Sequence, residues 1–153
     1  MRHLPERLRS SSLLLRRYHP SDAAVVHEAV VESVAEVAPY ESWCHEGYGR
    51  EDAAEYAGWW DHAWEKGLAY YYAVTDETGG AYLGSCGLSP VEREHGTAGL
   101  GFWVRTSSTG QGVATDSARA VIEAGFGHLG LNRIELLIAV DTVSYTHLRA
   151  HET

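Results

Sequence analysis

A chain of 153 residues, 44% apolar and 22% charged, has the length and balance of one folded domain, which excludes a disordered chain and requires no second domain. Its formal charge of -9 argues against a nucleic-acid partner, because binding a phosphate backbone rests on clustered Lys and Arg. Cys44 and Cys86 lack metal-ligand spacing and the apolar run Leu13 to Leu15 is too short for a signal core or a membrane span, so the expectation is a cytoplasmic protein with neither metal nor membrane partner.

Residues 1–12 read as an N-terminal extension. "LLLRRYHPSDAAVVHEAVVESVAEV" predicts a short strand over Leu13 to Tyr18, then a helix entered behind Pro20 with Ser21 as N-cap and ending near Pro39. Val26, Val30, Val34 and Val37 recur at three- and four-residue steps and mark its buried face. "APYESWCHEGYGRED" is a loop carrying aromatic residues, and "EDAAEYAGWWDHAWEKG" a second helix that stops at Gly67. Tyr56, Trp60 and Trp64 repeat every four residues along it, a spacing that favours core packing over ligand contact. "LAYYYAVTDETGGAYLGSCGL" predicts a hairpin in which Tyr70, Tyr72 and Val74 alternate with Ala69, Tyr71 and Ala73. After the polar loop "SPVEREHG", "TAGLGFWV" predicts another strand, with Gly99 and Gly101 marking either a bulge or a close approach of neighbours.

Val113 to Leu129 places Ala118, Val121, Ile122 and Phe126 on one helical side and stops at Gly130, and "NRIELLIAVD" supplies a β-branched-rich strand. Strand, loop, helix, strand is a βαβ unit, so the "GFWV" and "IELLIAV" strands are expected to run parallel. The expected fold class is α/β (α+β): a mixed, mostly antiparallel sheet whose fourth and fifth strands are parallel, flanked by helices and ending after the fifth strand.

"VRTSSTGQGVATDSARA" sets Gly110 and Gly112 at the foot of the crossover helix. A helix start exposes unpaired backbone N–H groups and carries roughly half a positive charge. Without Cβ atoms at the two glycines, the amides of Gly110, Gln111, Gly112, Val113 and Ala114 can converge on an anion such as a phosphate. A P-loop is ruled out by the spacing and by the missing lysine. A dinucleotide fingerprint matches only in part, since Thr115 stands where its third glycine would fall. A glycine-rich turn that only starts a helix is the plain structural alternative.

The stretch "AGLGFWVRTSSTGQGVATDSARAVIEAGFGHLGLNRIELLIAVD" resembles the acetyl-CoA-binding core of the GNAT N-acetyltransferase superfamily. That family's signature, Q/R-x-x-G-x-G/A, falls on Thr109-Gly110-Gln111-Gly112-Val113-Ala114, with Thr109 in place of the usual first residue. The flanking "GFWV", "ATDSA" and "LGLNRIEL", with "LLLRRYHPSDA" and "YESW" upstream, are most similar to the branch that acetylates ribosomal-protein N-termini. The resemblance spans Leu13 to Asp141 and implies a GNAT fold and an acetyl-CoA-dependent N-acyltransferase. It implies that backbone groups of Phe102, Trp103 and Val104 hold the pantetheine arm, and that Thr109, Gly110, Gln111, Gly112, Val113, Ala114 and Thr115 form the diphosphate loop. It also implies that Tyr40, Trp43 and His45 contact the acceptor, an amine-bearing peptide or small molecule. The protein itself is expected to be a monomer or homodimer.

Transfer from a thioester to an amine needs a neutral amine and a proton for the departing thiolate. A free α-amine titrates near about 8 and a lysine near about 10.4, so an N-terminal acceptor asks little of a base. Glu94, His95 and Glu46 are the acid–base candidates, with Glu41 beside them; each also reads as a solvated loop residue. His62 and His128 read as surface histidines.

The ending "VSYTHLRAHET", Val143 to Thr153, matches letter for letter the translation of a transposase adapter from sequencing libraries. That frame demands Ser, Pro, Thr or Ala before it, and Thr142 obeys. The expected division is a domain over 13–142 and a non-native tail over 143–153, so His147 and His151 are not metal ligands. The resemblance implies a further helix and two strands in the natural chain, with a Tyr or Ser that protonates the thiolate, so the alternative for the chain as given is an acetyl-CoA-binding fragment without turnover.

Overall fold

The computed structural model describes residues 2–37, 47–110 and 112–136. Strand β1 (Arg7–Ser10) turns back through Ser11 into β2 (Leu13–Arg17). Helices α1 (Ala23–Val37) and α2 (Arg50–Lys66) follow, then β3 (Tyr70–Asp76), β4 (Tyr82–Glu92), β5 (Thr97–Val104), α3 (Val113–Leu129) and β6 (Arg133–Leu136). The six strands lie in sequence order, antiparallel throughout except for β5 and β6, which are parallel as the βαβ pattern predicts. This is the mostly antiparallel sheet with one parallel pair that the resemblance implies.

The extra strand is β1, inside the segment read as an extension. Its sequence, "RLRS", offers one apolar residue and two arginines, the polar make-up of a short edge strand, so no apolar alternation announces it. Pairing of Leu8 with Leu15 and of Arg9 with Leu14 makes it the outer strand beside the apolar β2.

Alternation of side chains divides the interior into two layers. Tyr70, Tyr72 and Val74 of β3, Leu100 of β5 and Ile134 of β6 pack with Val121 of α3 on one face. Ala73, Tyr82 and Trp103 pack on the other with Val26 and Val30 of α1 and Ala53 and Ala57 of α2. The aromatic stripe of α2 is core, as its spacing predicts: Trp64 is buried and meets Tyr70 and Tyr72 edge-on at 5.0 Å each. Helices α2 and α3 stop where expected, at Gly67 and Gly130.

The passage from β2 to α1 departs from the expected Ser21 cap. A one-turn 3-10 helix, Pro20–Asp22, precedes α1, and His19 caps it, its Nδ1 accepting from the Ser21 amide at 3.1 Å. Asp22 Oδ2 accepts from the His19 amide at 2.8 Å, and the same carboxylate takes both Arg16 donors, Nη1 at 2.9 Å and Nη2 at 2.8 Å. The buried carboxylate thus ties β2 to the start of the helical layer, and a bidentate charged pair is among the stronger hydrogen-bonded contacts. Replacing Asp22 with Ala is expected to cost about 2 kcal/mol, because Arg16 loses its partner and the turn loses its cap. Urea unfolding checks this through a lowered midpoint at constant slope.

Candidate functional site

The chain leaves β5 through Arg105, whose position is fixed from three sides. Its guanidinium donates to Glu32 Oε2 at 2.9 Å, to Glu28 Oε1 at 3.3 Å and to the Tyr82 carbonyl at 3.0 Å. The hydrogen bond from Arg105 holds the Glu32 carboxyl below its ordinary range, helped by the Ser107 amide and hydroxyl, which reach Glu32 Oε2 at 3.3 and 3.1 Å. Arg105 is therefore committed to α1, and it anchors the stem of the glycine loop.

Both loop glycines occupy the left-handed region, Gly110 at φ 79° and Gly112 at φ 75°, where side-chain-bearing residues are strained. Among the described residues, a Cβ at Gly110 would meet nothing within 4 Å, and one at Gly112 only Asp116 Oδ2, at 3.7 Å. Gly112 is the N-cap of α3 and gives it no side-chain cap. Buried Val113 seats the first turn on the core, and Ser117 Oγ donates back to the Val113 carbonyl at 2.7 Å. The turn is thus rigidly placed, with its leading amides directed away from the helix body. An uncapped helix start under open glycine backbone fits a diphosphate held by N–H donors. Asp116 is the opposing feature, an acidic group in that same first turn. Gln111 lies outside the described residues.

On β5, Phe102 and Val104 pack toward the α3 side and Trp103 toward α1 and α2. The parallel register with β6 runs from Thr97↔Arg133 to Leu100↔Leu136, and Gly101 to Val104 carry β5 onward from the last described pair toward the glycine loop. Trp103 is held by a buried polar chain: its Nε1 donates to Tyr56 Oη at 3.2 Å, Tyr56 Oη pairs with Ser85 Oγ at 2.9 Å, and Ser85 meets Tyr18, which meets Tyr82. Burial raises the pKa of Tyr18, Tyr56 and Tyr82 above the ordinary phenol range, so the chain consists of neutral hydroxyls. Sequence reasoning missed this network, whose members come from α2, β4, β5 and Tyr18 just after β2.

A bulge is present on β4, directly opposite Gly99 of β5. The register shifts between Leu88 and Val91, opposite the step from Ala98 to Leu100. Gly101 is explained by packing instead, since a Cβ there would collide with Tyr71 Oη.

Glu94 and His95 lie exposed between β4 and β5, before Thr97, whereas the glycine loop follows Val104. The intervening strand of eight residues separates them by roughly 26 Å, and the structure does not bring them to the loop. Tyr40, Glu41, Trp43, His45 and Glu46 lie outside the described residues, as do Cys44, His147 and His151. His62 and His128 are exposed, as read. Cys86 is buried, and burial pushes its thiol up to about 12, so it is a core residue and no nucleophile. Among the described residues no group of His, Cys, Asp and Glu is arranged to hold a metal ion, and no helix is long and apolar enough to cross a membrane.

The chain belongs to the GNAT acetyltransferase family: the profile of the Acetyltransferase (GNAT) domain matches residues 12–143. Among curated proteins it is 30% identical over 70 residues to the uncharacterized N-acetyltransferase p20 of Bacillus licheniformis, covering 46% of this chain and 39% of that protein. The chain thus spans 39% of the length of that relative. Its fold is similar to that of the ribosomal L7/L12 alpha-N-protein acetyltransferase RimL in complex with coenzyme A, with a TM-score of 0.82 at 20% identity, over 91% of this chain and 78% of that one. It is also similar to the microcin C7 self-immunity acetyltransferase MccE in complex with acetyl-CoA and AMP, with a TM-score of 0.79 at 15% identity over 88% and 73%. Mycobacterium smegmatis RimJ in complex with CoA-disulfide gives 0.76 at 20% identity over 88% and 68%.

Two substitutions test the loop. Gly112→Val is expected to weaken coenzyme A binding about tenfold or more, since a branched side chain is strained at positive φ and occupies the approach to the amides. Asp116→Asn is expected to tighten it about two- to fivefold by removing a negative charge from the helix start, an effect that fades with added salt. Calorimetric titration reads both, with circular dichroism confirming an unchanged fold.

Proposed function

We infer that this chain is an acetyl-CoA-dependent N-acetyltransferase acting on a primary amine, with the N-terminal amine of a protein or peptide as the acceptor. The observation that carries the reading is the uncapped start of α3 beneath Gly110 and Gly112, set at the end of the strand bearing Phe102, Trp103 and Val104. Its likeness in fold to RimL and RimJ supports the choice of acceptor.

When bound, acetyl-CoA supplies an acetyl group activated as a thioester. The first-turn amides of α3 hold its diphosphate, with Thr109, Gly110, Gln111, Gly112, Val113, Ala114 and Thr115 forming the cradle. The backbone of Phe102 to Val104 aligns the arm along β5, and the Trp103 anchor in the polar chain keeps that strand from shifting. This division of labour is positioning, which can account for much of the barrier reduction in a transfer between two bound groups. The amine attacks in its neutral form: a C–N bond forms, the C–S bond breaks, and the amine gives up one proton while the thiolate takes one. The acid–base candidates are Glu94 and His95, which precede β5, and Glu46, with Tyr40, Trp43 and His45 as acceptor contacts.

Release of free thiol tests the reading, with peptides beginning in Ser or Ala, with a polyamine, and with NAD titrated separately by calorimetry. Turnover with the peptides is expected, and binding of NAD in preference to acetyl-CoA would overturn it. For a peptide acceptor kcat/KM should rise tenfold per pH unit below about 8 and level off above it, because only the neutral α-amine reacts. A side-chain lysine acceptor would keep the rate climbing toward about 10.4. A pH–rate profile with both acceptor types separates them.

A further inference from the structure

Tyr71 of β3, Gly87 of β4 and Gly101 of β5 stand at one level across the sheet: the register pairs Tyr71 with Gly87 and Gly87 with Gly101. Tyr71 packs on the side of α1 and α2. Two absent side chains let its phenol lie down over β4. A Cβ at Gly87 would collide with the Tyr70 carbonyl and Tyr71 Cα of β3 and stand 2.7 Å from the ring atom Cδ1, and one at Gly101 would collide with the hydroxyl oxygen and stand 3.4 Å from Cζ. The hydroxyl therefore arrives over the Gly101 backbone, two strands from its own. Trp60 of α2 covers the ring, stacked at 4.0 Å between centroids and 7° between planes. The phenol is clamped between an indole and bare backbone, and its oxygen cannot leave Gly101 without unstacking.

Glycine weakens a strand, and here two sit side by side in central strands. What they secure is a polar atom at one place. Gly101 directly follows the last described parallel pair, Leu100 with Leu136, and begins the stretch that continues through Phe102 to Val104. If the thioester lies along that stretch, as the proposed function has it, an acceptor must reach it from one face of the sheet. The α3 face is filled there by Leu100, Phe102 and Val104. On the other face Gly101 carries no side chain, and the group standing over it is the half-buried Tyr71.

We propose that the Tyr71 hydroxyl is an acceptor-contacting residue, its oxygen accepting a hydrogen bond from the incoming amine over Gly101 while Trp60 fixes the ring. A neutral primary amine has one lone pair and two N–H bonds. A hydroxyl oxygen that accepts one N–H directs the lone pair toward the thioester carbon. The inference rests on the proposed transferase reading and adds the substrate side of the same site.

The test is Tyr71→Phe, which keeps the ring, the stack and the fit over both glycines and removes one oxygen. Thiol release is measured with an Ala-starting peptide, acetyl-CoA affinity by calorimetry, and binding of a bisubstrate probe made of coenzyme A joined through an acetyl bridge to that peptide's N-terminus. Expected is a fall in kcat/KM for the peptide of about tenfold, the loss of one hydrogen bond, with acetyl-CoA affinity unchanged. Gly101→Ala, which forces the hydroxyl away, is expected to match it. An unaltered kcat/KM in Tyr71→Phe overturns this inference and leaves the transferase reading standing. A parallel fall in acetyl-CoA affinity also overturns it, assigning Tyr71 to support of β5 alone. A parent chain that neither releases thiol nor binds the probe removes the function and the inference together.

Discussion

The parallel pairing of β5 with β6 is the constraint on which the rest depends. Two parallel neighbours cannot be joined by a tight turn, so the chain must leave the end of β5, run back along the sheet and re-enter at the start of β6. A helix of 17 residues makes that return. Its N-terminus is therefore obliged to sit beyond the last residues of β5, so the exposed amides of its first turn come to the end of that strand. The position of this helix start is in this sense a by-product of topology. The sequence adds the two glycines that keep the approach open and the buried Val113 and Ser117 that hold the turn in place.

The two sheet faces have been given different work. Beneath α3 the packing is mainly apolar, with Tyr70, Tyr72, Leu100 and Ile134 under the crossover helix. Beneath α1 and α2 the interior is aromatic and hydroxylic, and the hydroxyls of Tyr18, Tyr56, Tyr82 and Ser85 are paired in a chain that ends on Trp103. Burying neutral hydroxyls costs little when each finds a partner, and such a network fixes one arrangement where an apolar core tolerates several. The stiffness falls on β5, which Trp103 holds in place. Arg105 extends the same restraint past the end of the strand, binding the stem of the loop to Glu28 and Glu32 of α1.

The elements were legible in the sequence because their signals are local. Alternation in "AYYYAV", the four-residue aromatic repeat in α2, the stops at Gly67 and Gly130 and the crossover order each declare themselves within a few residues. The glycine loop declares itself for the same reason, since a chemistry of backbone amides needs only a helix start and small residues at fixed offsets. Two local expectations were displaced by partners from elsewhere. Ser21 yields the cap to His19 because Asp22 is held by Arg16 from β2, and the β1 strand forms from a polar segment because β2 offers it an apolar edge.

Period, turn chemistry and chain order made the class of fold, the parallel pair and the glycine start of α3 readable from the residues alone. Which side chains meet was set by the folded sheet. Glu94 and His95, near the "GFWV" strand in sequence, stand a strand's length from the loop, whereas Tyr71 and Gly101, 30 positions apart, touch. The physical reason is the register. Hydrogen bonding between strands sets distant residues side by side at one level of the sheet, and a missing Cβ on one strand becomes room for a ring from another. No stretch of single sequence carries that pairing, because it belongs to the ladder and not to the chain.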